Sequence, residues 1–410
     1  MNSKVGEKFL RYVKVDTQSL EEFSDKVPST EKQRDLAVML SKELEEMGAS
    51  NVRYDKEHCY VYAVIPSNVD KDVPAIGFIA HMDTSEAVSG KDVNPRIIEN
   101  YDGKDIVLNE KLNIVTKVAE FPMLKECKGK TLIVTDGNTL LGGDDKAGVA
   151  EIMTMAEYFL SNPDVKHGKI CIGFTPDEEV GNGVEFFDIK GFGADYAYTV
   201  DGGELGDMSY ECFHAASAKV TVHGKSTHPG YAKNIMRNAV KLAMEFTTML
   251  PDKECPECTE GYEGFYHITD MKGSCEEATI DYIIRDHDRK IFEKRKKVMQ
   301  DAVGKLNKIY GEEIFEVVIK DSYNNMKEMI EPEMHLIDNA KLAMLNAGVT
   351  PKVSPIRGGT DGARLSYDGL LCPNLCTGSE GHHGRNEFAC LDDMEKIVEV
   401  LKELILIYAK

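Results

Sequence analysis

Short apolar runs and helically spaced stretches alternate along the first half of the chain. Residues 31–47 place Leu36, Val38, Met39, Leu40, Leu44 and Met47 at helical spacing, and Gly48 follows where a helix C-terminal cap belongs. Residues 60–65 read as a strand, and residues 75–80 as the short apolar run of a buried parallel strand. Residues 146–160 predict a helix with Val149, Ile152, Met153, Ala156, Phe159 and Leu160 on one broad face; residues 169–174 and 196–200 predict two more strands. Strands and helices in alternation indicate an α/β layer architecture.

The pattern changes after about residue 212. Residues 216–222 alternate like a half-buried strand, 234–250 predict an amphipathic helix, 265–269 and 278–284 two consecutive strands, 289–310 a long charged helix, and 315–319 a last strand. The order β-α-β-β-α-β is that of a ferredoxin-like sandwich. Helix, glycine turn, strand and helix then resume. The expected organisation is an α/β/α domain with a mixed, mostly parallel sheet over residues 1–211 and 324–410, interrupted by a ferredoxin-like α+β domain over residues 212–323.

Composition narrows the function. The chain has 410 residues, 42% of them hydrophobic, enough to bury a substantial core in two domains. A formal net charge of -21 disfavours nucleic acid, whose phosphates need clustered Lys and Arg. The N-terminal stretch shows no apolar run behind basic residues, so no signal peptide is expected, and no segment approaches the roughly 20 apolar residues of a membrane span. The ten cysteines are scattered, as in a reducing, cytoplasmic setting. Cys255 and Cys258 have metal-like spacing, but no second pair follows to complete a structural zinc site.

Five separated segments concentrate imidazole and carboxylate: His81-Met-Asp83, Gly142-Gly-Asp144-Asp145-Lys146, Glu178-Glu179 after Thr175-Pro-Asp, Asp201-Gly-Gly, and His382-His383-Gly-Arg-Asn-Glu387. Each falls at or after a predicted strand end, where open α/β sheets place their sites. Taken singly, each has a plain alternative: Asp144 and Asp145 as helix caps, Glu178 and Glu179 as a solvated acidic turn, Asp201 as a turn residue, the histidines as structural. Jointly they supply ligands for two metal ions. One takes His81, Asp144 and Asp201; the other takes Asp144, Glu179 and His383, so that Asp144 bridges. Zinc suits such nitrogen and oxygen donors, and paired ions hold a shared hydroxide and polarise a carbonyl. Asp83, two positions after His81 in extended chain, is placed to orient its imidazole, and Glu178 to take a proton from the attacking water and pass it to a leaving amine.

With these residues assembled, the chain resembles the peptidase T family of tripeptide aminopeptidases, within a wider group of metallopeptidases that also holds carnosinases, aminoacylases and glutamate carboxypeptidases. The resemblance runs nearly end to end. Its narrow motifs are IAHMDTSEAVSGKDVNPRIIENYDGKDIVL (79–108), TDGNTLLGGDDKAGVAEIM (135–153), TPDEEVGNG (175–183), DYIIRDHDRKIFEKRK (281–296) and PIRGGTDGARLSYDGLLCPNLCTG (355–378). It implies a catalytic domain with two zinc ions and a smaller lid domain, Asp83 and Glu178 as the catalytic pair, the ligand scheme above, and release of the unblocked N-terminal residue of tripeptides. It also implies a role at the scissile carbonyl for His228, in some relatives from the partner subunit, with His223 as the competing choice and a structural role as the alternative for either; a homodimer through the lid is then an expectation. Close relatives often carry Tyr-His-Gly-Lys-His-Glu-Phe in the last motif. Here it reads His-His-Gly-Arg-Asn-Glu-Phe, which aligns His383 with the ligand and His382 with the tyrosine. Arg285 and Arg357 are candidates to pair with the peptide carboxylate, with structural ion pairing as the alternative. The rival functions are a related hydrolase acting on dipeptides or N-acyl amino acids, and a non-catalytic peptide-binding scaffold.

Overall fold

The computed structural model describes residues 3–410. The chain forms two compact units. One comprises Met1–Tyr210, Glu328–Ser354 and Thr360–Lys410; the other comprises Glu211–Lys327 and Pro355–Gly359.

The first unit is built on an eight-stranded mixed sheet, in the order Ser50–Tyr54, Val61–Ile65, Ile170–Thr175, Ile76–His81, Tyr196–Val200, Asn374–Leu375, Asp207–Ser209, Lys352–Val353. The neighbours from Ile170–Thr175 through Asn374–Leu375 run parallel, and antiparallel pairings lie on either side. The central strands are buried along their whole length, which is why they read as unbroken apolar runs rather than alternating ones. Successive side chains still go to opposite faces. Ile79 and Ala197 pack with Tyr60, Tyr62, Phe187, Phe192 and Leu365. On the other face the rings of Phe78 and Tyr198 stack, and the Tyr198 hydroxyl reaches Leu336 and Tyr408 of the helices His335–Asn346 and Leu391–Tyr408. Helical cover on both faces gives the expected α/β/α layering.

The helix Gly143–Ser161 crosses the sheet where the strand Tyr196–Val200 ends. Gly148 makes that approach possible: a Cβ there would lie 1.9 Å from the Val200 carbonyl oxygen. Two features were not foreseen. A second, four-stranded sheet runs in the order Ser379–Glu380, Phe388–Cys390, Leu132–Val134, Arg96–Ile98, and a small hairpin joins Ile106–Asn109 to Ile114–Thr116. Strands of two to four residues carry too little periodicity to detect.

The second unit is a four-stranded antiparallel sheet in the order Phe265–Gly273, Glu277–Asp286, His214–His223, Phe315–Tyr323, with the helices Ala239–Thr247 and Arg289–Tyr310 packed on it. Chain order and strand order together are ferredoxin-like. Ala216, Ala218, Val220 and Val222 point into its core beside Ile280, Ile284, Phe246 and Leu306. The helix expected over residues 234–250 is shorter. Asn234 sits at a positive φ of 61°, and the Asn238 side chain accepts from the Lys241 amide, so the helix begins at Ala239. No helix among the described residues is long and apolar enough to cross a membrane.

Gly148→Ala is expected to destabilise the first unit by about 1–3 kcal/mol, the usual cost of forcing extra atoms into a packed contact. The midpoint of denaturant unfolding reads this out, and an unchanged midpoint would show that helix and strand separate freely.

Candidate metal centre

Three adjacent parallel strands deliver three of the five acidic or imidazole segments. His81 ends the strand Ile76–His81 and pairs in register with Thr175, the last residue of Ile170–Thr175. Glu178 and Glu179 follow in a short 3-10 turn, and Asp201 comes directly after Tyr196–Val200. Asp144 and His383 arrive differently. Asp144 opens the helix after the loop that leaves the small-sheet strand Leu132–Val134, and its peptide bond to Asp145 is cis. His383 lies in the turn between Ser379–Glu380 and Phe388–Cys390, at a positive φ of 61°. The expectation that every segment follows a strand of the main sheet therefore holds for three; the other two hang from the small sheet.

The side chains converge in two overlapping groups, His81 with Asp144 and Asp201, and Asp144 with Glu179 and His383. Within each group one donor atom per residue lies within 4.8 Å of the others. Asp144 belongs to both. Its Oδ1 is 2.8 Å from His81 Nε2 and its Oδ2 is 3.3 Å from His383 Nε2. His81 Nε2 is also 3.7 Å from Asp201 Oδ1, and His383 Nε2 is 2.8 Å from Glu179 Oε2. His382 turns its Nε2 to Ser379 Oγ at 2.9 Å and keeps its Nδ1 3.5 Å from Asp144 Oδ2.

Two fully buried carboxylates hold this arrangement. Asp83 accepts from the Glu178 amide at 3.0 Å and the Glu179 amide at 3.2 Å, while its Oδ1 lies 3.3 Å from His81 Nδ1. The spacing His-x-Asp thus fixes one imidazole and the acidic turn together. Glu387, quoted in the last motif but given no role from sequence, accepts from the amides of Leu141 and Gly142, both at 2.7 Å, and of Asp144 at 3.0 Å. Three amides at a helix start leave their donors toward one carboxylate, a favourable pairing. Asp145 accepts from the His81 amide, and the buried Lys146 ammonium donates to the Val15 carbonyl.

The electrostatics follow from crowding. Burial pushes Glu178 well above the usual carboxylate range, and the neighbouring Asp201 adds to it. Burial raises Glu179 to about 7 against the opposing hydrogen bond from His383. Asp144 goes the other way: burial is outweighed by His382, His383 and His81, which hold it well below its ordinary value. Hydrogen bonds to Asp144 and Glu179 push His383 up to about 10. Glu179 Oε1 is buried without a hydrogen-bond partner. Burying carboxylates in such number is costly unless cations offset them. The nitrogen and oxygen donors fit a divalent ion such as zinc. A further group, Cys127, Cys390 and Asp393, is closed on itself, since Asp393 pairs with Lys130 at 2.7 Å.

The other sequence candidates lie in the second unit. His228 is exposed, and its Nδ1 accepts from the Gly230 amide, which leaves the ring proton on Nε2. Arg285 gives one guanidinium nitrogen to the carbonyls of Ala216 and Ile284 and stands over the Tyr323 ring. Arg357 is more fully committed. Its two terminal nitrogens bond to the carbonyls of Thr259, Gly261 and Glu263 and to Thr259 Oγ1, and it stands over the rings of Phe213 and Phe265, which pack edge-on against each other. Cys255 and Cys258 flank a 3-10 turn and belong to no metal-capable group among the described residues.

Residues 210–313 match the peptidase dimerisation domain family. Over 407 residues the chain is 54% identical to the peptidase T of Clostridium acetobutylicum, covering 99% of each. Among solved structures, the aminopeptidase PepT from Bacillus cereus superposes with a TM-score of 0.79 at 22% identity, over 99% of this chain and 98% of that one. A tripeptidase from Staphylococcus aureus gives 0.78 at 20% identity, over 99% and 98%. A dinuclear metal-binding peptidase from Bacillus subtilis gives 0.65 at 13%, over 98% and 97%.

Glu387→Gln weakens the acceptor for three amides without changing its shape. Zinc affinity, measured by competition with a chromophoric chelator, is expected to fall about 10–100-fold, as when an outer partner of a metal ligand is lost. An unchanged affinity would show that the Asp144 loop holds its form unaided.

Proposed function

Because this chain belongs to the peptidase T family, we propose that it is a zinc-dependent aminopeptidase that cleaves the N-terminal peptide bond of tripeptides. The observation that carries the reading is Asp144, whose two oxygens each face a different imidazole while Glu178 lies beside them in the same acidic turn as Glu179. His81, Asp144 and Asp201 would hold one zinc ion, and Asp144, Glu179 and His383 the other. Bound there, the ions would polarise the scissile carbonyl and make water a nucleophile near neutral pH.

The chain's own groups do the rest. Glu178, raised in pKa by burial, takes the proton of the attacking water and passes it to the departing amine as the peptide C–N bond breaks. Asp83 keeps His81 and the Glu178–Glu179 turn in fixed relation through its contacts with both. His228, with its proton on Nε2, is assigned to the developing oxyanion. Of the two arginines, Arg285 is the better partner for the peptide carboxylate, because Arg357 already spends four hydrogen bonds on residues 259–263. The unit containing Asp144 and Glu178 is assigned catalysis. The unit matched by the dimerisation family is assigned the lid and a homodimer contact, in a cytoplasmic enzyme.

A related hydrolase of dipeptides or N-acyl amino acids uses the same chemistry, so substrate form separates the two. Free tripeptides are expected to be cleaved and their N-acetylated forms left intact; faster cleavage of the blocked peptides would sink the aminopeptidase assignment. Glu178→Gln is expected to lower kcat by about 10²–10⁴-fold, the usual share of a general base, while zinc content stays at the wild-type level. Chelator treatment should remove activity and added zinc restore it.

A further inference from the structure

The turn that carries Glu178 is short, and its two sides must be held for the carboxylate to stay in place. Residues 175–183 are tied down at several points. The Asp177 carboxylate accepts from the Ser29 amide and hydroxyl and from Gln33 Nε2, Asn182 Nδ2 donates to the Ser24 carbonyl, and Asp83 takes the amides of Glu178 and Glu179. One contact remains, and it joins both ends of the segment. Thr175, fully buried at the strand end, donates its hydroxyl to Asp361 Oδ2 at 2.9 Å. Gly183, at the far end, packs its Cα on the same carboxylate: a Cβ there would lie 2.2 Å from Asp361 Oδ1 and 2.5 Å from Oδ2. The last glycine of the 175–183 motif and the aspartate of the 355–378 motif are thus two halves of one contact.

Asp361 is 7% exposed, opens the helix Asp361–Tyr367 and lies within electrostatic reach of Glu178, Asp201, Asp83 and His81. It belongs to neither group of metal-capable side chains at the centre. Burying a carboxylate there, with one side-chain donor, is costly unless the placement serves something.

We propose that Asp361 is a positioning residue for the general base: it closes the segment 175–183 by holding Thr175 at one end and Gly183 at the other, and so sets where Glu178 stands. The inference rests on the reading of Glu178 as that base. Removing Asp361 frees the two ends of the segment, while Asp83 still holds the amides of Glu178 and Glu179 and Glu387 the Asp144 loop, so what shifts is the Glu178 side chain rather than the ligand set. The loss therefore falls on turnover rather than on substrate or metal binding. A misplacement of about 1 Å at a reacting group costs on the order of 10²-fold.

The test is steady-state kinetics on a free tripeptide with zinc content measured alongside, on Asp361→Ala, Asp361→Asn, Thr175→Val and Gly183→Ala. The expected result is a kcat about 100-fold lower for Asp361→Ala, with KM and zinc content within twofold of wild type. Asp361→Asn, which keeps the acceptor for Thr175 and the shape against Gly183, recovers part of the loss. Thr175→Val shows a smaller loss in kcat alone. Gly183→Ala lowers kcat in the wild-type background but adds nothing in the Asp361→Ala background, because the new methyl then occupies the vacated space. Wild-type kcat in Asp361→Ala, a change confined to KM or zinc content, or additive losses in the Gly183–Asp361 pair would each overturn the proposal. If Asp361→Ala does not fold, the Thr175→Val and Gly183→Ala kinetics decide it in the same way. A wild-type protein inactive on every tripeptide would instead refute the function assignment.

Discussion

Everything around the centre answers to one constraint, the burial of many carboxylates in one place. Asp83, Asp144, Asp145, Glu178, Glu179, Asp201, Asp361 and Glu387 act on one another there, and the protein's own answering charge is a few imidazoles and one lysine. Burial first, and repulsion among neighbouring acids second, drives Asp145, Glu178, Glu179, Asp201, Asp361 and Glu387 toward their neutral forms. Asp144 goes the other way, because three histidines surround it. A fold that accepts this cost must either neutralise the acids by protons or collect cations. His81 Nε2 and His383 Nε2, each aimed at two acidic side-chain oxygens, favour cations.

The acids are kept in place by backbone amides. Asp83, Asp177 and Glu387 together accept six amide hydrogens from the segments that carry Asp144, Glu178 and Glu179 or from the segment packed on them. Amide donors cannot leave without unfolding the turn, so they orient a carboxylate more firmly than flexible side chains do. Glycine supplies the remaining freedom where atoms come closest, at Gly148 against Val200 and at Gly183 against Asp361.

Much of this was legible in the sequence, and the reason differs by element. His81, Glu178, Glu179 and Asp201 follow apolar runs long enough to be recognised as buried strands, so their place at strand ends could be read directly. The second unit announced itself by strict alternation, because each strand has one face in the core. Asp144 and His383 were found only as motif residues. Their strands have two or three residues, and no periodicity survives at that length. The helix expected from residue 234 starts later because apolar spacing says nothing about a cap, whereas the Asn238 side chain does. The commitment of Arg357 to residues 259–263 was likewise invisible, since three of its four acceptors are carbonyls and any sequence supplies those. Glu387 and Asp361 stood in plain view within motifs, yet their roles depend on amides and a glycine far away in the chain.

Hydrogen-bond partners sort the acids into kinds where residue type alone cannot. Carboxylates that accept from amides, such as Asp83 and Glu387, have their lone pairs spent and act as fixed struts. Those that face imidazole nitrogens, Asp144, Asp201 and Glu179, point their lone pairs where a cation would sit. The Glu178 side chain shares neither pattern: its amide is held by Asp83, and its carboxyl is raised in pKa by burial first and by Asp201 next. A carboxyl fixed at its backbone and close to the centre is placed for the proton transfer proposed between water and a leaving amine. Neighbours in sequence, Glu178 and Glu179 face different groups, and that difference is the basis for the separate tasks proposed for them.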